Sequence, residues 1–271
     1  MQRLLDIGEG RGFPRMSSLD CMHWKWKNCP VAWRGQYTHG NGAPTIILEA
    51  IASQDLWIWH TFFGVAGANN DINVINQSPL FTERLQGCDP QVEYYVNGRK
   101  YNIGYYLTDG IYPQWAAFVK SIKEPQTAKD KLYAERQEGA RKDVERAFGV
   151  LKQHFKIMVE PSCLWYQADI SNIMQACVIL HNMIVEDEKD MVEDFPDLND
   201  AAGSSTTTTP YIHVGSIPQF SKVVEKDAEI HDQTIHTQLK RIWLNIFGHH
   251  MGIIPISYLD FVFLNFLLEL L

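Results

Sequence analysis

The chain has little of what marks a secreted, disulfide-built or membrane-spanning protein. Its first residues, MQRLLDIGEGRGFP, lack the apolar region of about 7–15 residues that a signal peptide needs. The five cysteines, Cys21, Cys29, Cys88, Cys163 and Cys177, are odd in number and scattered, with no C-x-x-C pair. That excludes a disulfide framework and agrees with a reducing compartment. Cys21, His23, Cys29 and His39 can be drawn as a zinc site, but their spacing matches no common structural pattern. The apolar tail Gly252 to Leu271 is broken by Pro255, Asp260 and Glu269, short of the roughly 18 clean apolar residues of a spanning helix. It reads as a packed tail, and a membrane partner is not expected. The chain also lacks a clear basic localisation cluster.

Net positive charge is missing as well, but only on average. The formal charge is -8, and Glu186 to Asp200 alone holds eight acids against Lys189. In contrast, Lys131 to Lys156 carries seven Lys or Arg against four acids. Basic charge is therefore local, and that stretch is where an anionic partner is expected. At 271 residues with 45% hydrophobic content, the chain can bury one main domain with appendages.

The domain boundaries follow from composition. Residues 1–15 are a polar residual segment, 16–190 the main domain, 191–226 an acidic and Thr-rich linker, and 227–271 a helical segment with the apolar tail. Met16 to Met22 reads as a short strand carrying Asp20, an acid that is costly inside an apolar strand unless compensated, or that instead caps a turn before HWKWKNCP. Trp24, Lys25, Trp26 and Lys27 interleave aromatic and basic side chains, which suits base stacking with phosphate contact, or two core tryptophans. Thr45 to Ala52 and Leu56 to Gly64 read as an antiparallel hairpin. Asn70 or Asp71 caps the helix that follows, with Asp71 preferred. Asn97-Gly98 signals a second hairpin. Gly104 to Asp109 reads as a strand ending on a carboxylate, and Gln114 to Lys123 as a helix.

From Ala134 to Met158 the pattern is that of one long helix. Ala140, Val144, Phe148, Leu151, Phe155 and Met158 recur at helical spacing, and Glu145 sits one residue off the stripe, at its margin. There it either pairs with Arg141 on the surface or reaches a site. Ala168 to Glu186 is a further helix with Ile170, Ile173, Met174, Cys177, Leu180 and Ile184 on its apolar side, and His181 reads as a packed core histidine. A mixed sheet in which first and fourth strands are neighbours would let Asp20, Asp109 and Glu145 converge. Such acids repel unless cations neutralise them, and Mg²⁺ is the natural partner.

The segments SLDCMHWKWKNCP, LEAIASQDLWIWHTFFGVAGANNDINVINQSPLF, YYLTDGIYPQWAAFVK, RKDVERAFGVLK and ACVILHNMIVED together resemble the PIF/Harbinger transposases of plants. The resemblance covers about residues 11–190 and returns near Ala228 to Gly248. It implies an α/β, RNase H-like mixed sheet flanked by helices, the catalytic core of DDE transposases. It also implies that Asp20, Asp109 and Glu145 are catalytic and hold Mg²⁺ or Mn²⁺, with 35 residues between the last two. Arg141, Lys142, Arg146 and Lys152 are then the expected contacts to DNA phosphates. DNA, a separate Myb-like DNA-binding protein and a second copy of the chain are the implied partners, and the nucleus the implied location. Family members usually carry a helix-turn-helix-like region before the first catalytic strand, whereas this sequence starts almost at that strand. An N-terminally truncated product is therefore expected, either active or kept as a silent interaction protein or inert fragment.

Overall fold

A computed structural model describes residues 17–40, 42–85, 94–96, 99–101, 104–193 and 220–250. The segment before residue 16, most of the linker and the apolar tail lie outside them.

Five strands form one mixed sheet in the order β3-β2-β1-β6-β7. β1 (Ser17–Lys25), β6 (Tyr106–Thr108) and β7 (Phe118–Lys120) run parallel, and β2 (Thr45–Ala52) and β3 (Ile58–Ala66) form the antiparallel pair. Among the strands of this sheet the first and fourth are neighbours, as expected. β4 (Tyr94–Val96) and β5 (Arg99–Tyr101) pair separately around the Asn97-Gly98 position, with Val96 opposite Arg99.

The expected helix at 114–123 is instead a turn leading into β7. Ala116, Ala117, Phe118 and Val119 are all buried. Phe118 and Val119 are adjacent on β7 and so point to opposite faces, both covered, whereas a lone helix would expose one of its sides. The Trp-Lys-Trp-Lys run also resolves towards the core. Trp24 and Trp26 are buried and donate from Nε1 to Glu160 O (2.9 Å) and Leu164 O (2.8 Å), leaving Lys25 and Lys27 outside, so neither tryptophan of this run is presented for stacking.

The chain divides into two compact units: Met1–Asp20, Gln91–Glu145 and Ala228–Leu271 make the first, and Cys21–Pro90 with Arg146–Asp227 the second. In the second, α1 (Arg34–Tyr37) precedes β2, and α2 (Asp71–Ile75) is capped by Asn70, not Asp71. The Asn70 side chain accepts from Asn73 N at 2.9 Å. α3 (Thr82–Leu85) follows, and later α6 (Gln167–Glu193) and α7 (Phe220–Ile230), whose residues from Ala228 on belong to the first unit. Ile47, Val65 and Val74 form a core with Cys21 and Phe62.

Residues Gln167–Glu188 are long and apolar enough to cross a membrane by length and composition. Here α6 turns polar side chains onto the hairpin instead. Asn182 accepts from Ile58 N (2.9 Å) and donates to Ile58 O (2.8 Å), and the buried His181 donates from Nε2 to Leu56 O (2.9 Å). Leu56 has φ of +68°, and this bond holds its carbonyl in the left-handed region that a leucine seldom enters. Burial lowers the His181 pKa, which fits a neutral, packed histidine. His181 thus belongs to the buried stripe with Ile170, Met174, Cys177 and Val185, whereas Leu180 is exposed.

In the first unit, α4 (Ala128–Arg141) and α8 (Gln233–His250) cover the parallel strands. α4 starts at a reciprocal cap, where Thr127 Oγ1 accepts from Asp130 N and Asp130 Oδ2 accepts from Thr127 N. It stops at Lys142, and α5 (Asp143–His154) begins at once, so the single helix expected over 134–158 is two helices and a short 3₁₀ turn, Lys156–Met158. An acid at a helix start suits the positive end of the peptide dipoles, and Asp143 supplies it. Ala140 and Val144 are both buried, so the apolar stripe carries across the break and the sequence pattern conceals it.

Candidate active site

Two buried polar side chains fix α4 over the strands. Ser18 Oγ, in β1, donates to Ala140 O at 3.0 Å. Gln137 Nε2 donates to Thr108 O (2.9 Å) in β6 and to Val119 O (3.0 Å) in β7. Each of these bonds lies close in sequence to a candidate site residue: Ser18 precedes Asp20, Ala140 precedes Arg141, and Thr108 precedes Asp109. The fold therefore delivers the site through backbone carbonyls.

Arg141 is the centre of what results. Its Nη1 lies 2.8 Å from Glu145 Oε1 and 3.4 Å from Asp20 Oδ2, and its Nη2 lies 3.3 Å from Glu138 Oε2. The side chains of Arg141 and Asp20 are only 14% and 18% exposed, whereas that of Glu145 is 45% exposed. Burial acts to lower the Arg141 pKa, but the carboxylates of Glu138, Asp20 and Glu145 outweigh it and raise it. One guanidinium thus neutralises part of a cluster of three carboxylates.

Asp109 stands just beyond the end of β6. Ser18 pairs with Leu107 across β1 and β6, so Asp20 and Asp109 each follow a paired residue by two positions on adjacent parallel strands. The Asp109 carboxylate accepts from Ile111 N at 2.7 Å, which folds the chain into a tight turn. Lys120, at the end of β7, donates from Nζ to Tyr112 O and senses the charges of Lys240 and Asp109. Its pKa is lowered, by burial first and by Lys240 next, against the opposing pull of Asp109.

A family model described as plant transposon protein matches residues 1–192. The chain belongs to the plant transposon protein family. No curated protein and no solved structure is significantly similar to it.

In this plant transposon protein Asp20 and Glu145 are joined through Arg141, and Asp109 takes a matching strand position. Among the described residues, no three His, Cys, Asp or Glu side chains gather closely enough to hold a metal ion. In kind the donors suit a hard dication, which takes carboxylate oxygens from several elements. In arrangement, Asp20 and Glu145 already share a guanidinium. Of the expected phosphate contacts, Arg141 is committed to carboxylates, Lys142 is the exposed C-cap of α4, and Arg146 and Lys152 lie on α5 within the second unit.

Gln137, Glu138, Lys120 and Lys240 escape the sequence reading. Gln137 had a readable signal, because Tyr133, Gln137, Ala140 and Val144 are all buried at helical spacing and one of them is polar. A buried amide needs partners, and the carbonyls of Thr108 and Val119 on two neighbouring strands are such partners. Lys120 and Lys240 had none, since they are far apart in sequence.

Proposed function

We propose that this plant transposon protein is a Harbinger-type transposase core whose sheet is RNase H-like, and that it cleaves DNA phosphodiester bonds with Mg²⁺ or Mn²⁺ at Asp20, Asp109 and Glu145. The observation that carries this reading is the placement of Asp20 and Asp109 at matching positions on adjacent parallel strands, with Glu145 tied to Asp20 through Arg141. Two such ions, when bound, stabilise the attacking and leaving oxygens of an in-line displacement. The chain's own part is to hold the carboxylates on rigid elements, which Ser18 and Gln137 do through α4. Lys142, Arg146 and Lys152 orient the DNA backbone without reading its sequence. The same reading implies nuclear residence, a Myb-like partner that selects the target, and self-association on the DNA.

One observation favours a second reading, a catalytically silent interaction protein. Arg141 already gives the carboxylates of Asp20, Glu138 and Glu145 a cation, so part of their charge is balanced without a metal ion. Nicking of supercoiled plasmid DNA in Mg²⁺ or Mn²⁺ separates the two. Cleavage by the natural chain that disappears in Asp20→Ala and Asp109→Asn supports the nuclease. Equal nicking by all three proteins, or none in either metal, sinks it.

A further inference from the structure

Beside the acidic cluster, the first unit holds an opposite one. Lys120 ends β7, and its register partner Thr108 immediately precedes Asp109. α8 is pinned against the same region by the buried His236, whose Nδ1 donates to Phe118 O (2.8 Å) and Trp115 O (3.1 Å). Leu239 and Trp243 continue that attachment into the core formed by Tyr105, Leu107, Val119, Tyr133 and Ala140. Lys240 lies one turn beyond His236, and its charge acts on both His236 and Lys120. Two lysines, Lys120 two positions beyond Phe118 on β7 and Lys240 one turn beyond His236 on α8, therefore follow the same point of attachment, and both are only half-buried. Their mutual repulsion is a cost that an anion would remove. An anion with several oxygens can accept from both at once.

We propose that Lys120 and Lys240 form a phosphate-holding pair beside Asp109, and that its ligand is a backbone phosphate of DNA. The proposal rests on the DNA-cleaving reading only for its choice of ligand. It assigns a binding role to α8, which lies beyond the residues matched by the family model. It also explains how opposite charges are divided in the first unit. Glu138, Asp20 and Glu145 outnumber Arg141 on one side, and Lys120 with Lys240 outnumbers Asp109 on the other. A phosphodiester whose phosphate is taken up by the lysines would lie alongside Asp109.

The test is binding of a fluorescein-labelled 20-base-pair duplex, followed by anisotropy in EDTA across a series of salt concentrations, with a second unrelated duplex as control. Replacing Lys240 with alanine removes the charge without emptying the core, and its melting temperature should match that of the natural chain. Its affinity for both duplexes should fall by about 3–10-fold at low salt, and the slope of log K against log salt should flatten by about 1. Lys240→Arg should bind nearly as well as the natural chain, and Lys226→Ala, on α7, should leave affinity and slope unchanged. Because the two lysines hold one phosphate, Lys120→Met combined with Lys240→Ala should flatten the slope no further than Lys240→Ala does. Inorganic phosphate at millimolar excess should compete poorly; strong competition would make the ligand a free anion and overturn the assignment to DNA. Unchanged affinity and slope in Lys240→Ala, or no binding by the natural chain, overturns the proposal outright. Binding that depends on Lys240 in a chain that never nicks DNA leaves this site standing and removes the nuclease. Nicking with normal binding by Lys240→Ala does the reverse.

Discussion

Replacing Arg141 with alanine should both destabilise the protein and open its carboxylates to cations. The guanidinium pairs with Glu138 and Glu145 on its own or the next helix, and both acids are more than a third exposed, so each pair is worth only about 0.3–0.5 kcal/mol. Asp20 is different, because its side chain is 18% exposed and loses a charged partner that solvent replaces poorly. Losing that ion pair should cost about 1–2 kcal/mol. The total, about 2 kcal/mol, corresponds to a melting temperature about 4–8 °C lower for a chain of this size. In EDTA the loss should be seen in full, since no dication then offsets the charge of Asp20, Glu138 and Glu145. Adding Mg²⁺ or Mn²⁺ should raise the melting temperature more in Arg141→Ala than in the natural chain, because the dication no longer competes with the guanidinium for Asp20 and Glu145. Differential scanning fluorimetry with and without metal measures both effects. A variant as stable as the natural chain in EDTA would show that the ion pairs carry no weight. A metal-induced rise no larger than that of the natural chain would show that Arg141 does not guard a cation site.

Two further outcomes are expected. Phe148 is buried on α5, so Phe148→Ala should cost about 3–5 kcal/mol, whereas the half-exposed Lys152 should lose under about 1 kcal/mol on the same change; equal losses in urea unfolding would refute the orientation of α5. Burial lowers the pKa values of His181 and His236 below their usual value near 6.5, so both are neutral in the fold and protonate more readily when unfolded. Their contribution is present above about pH 6.5 and lost as pH falls below it, so the melting temperature should drop between pH 7.5 and 5.5, and a flat profile would contradict their placement.

What the sequence discloses here is what period and local chemistry can carry. The β2–β3 hairpin was legible because apolar runs flank a short polar turn, and the neighbouring of first and fourth sheet strands followed from the order of elements. The stripe from Ala140 to Leu151 was legible, but its break at Lys142 was not, because the same face stays buried on both sides. The strand at Phe118–Lys120 was misread as a helix because a short apolar run has no period that separates the two. Arg141 and Glu145 were visible as neighbours on one turn. That Arg141 also reaches Asp20, 121 positions earlier, depends on the Ser18–Ala140 bond, which no local pattern records. The pairing of Lys120 with Lys240 is of the same kind.

The attachment of α8 also has a consequence for how the protein is made. β1 leaves the ribosome long before α8, and the core of its unit is not closed until Leu239 and Trp243 emerge. At about 5–20 residues per second, that interval is on the order of 10–40 s. From the synthesis of Tyr133 to that of Leu239, about 5–20 s at that rate, the apolar faces of Leu107, Val119 and Tyr133 wait for a cover that has not been synthesised. The nascent chain must therefore be kept from aggregating, by chaperones or by the second unit's own folding, until translation reaches its last described helix.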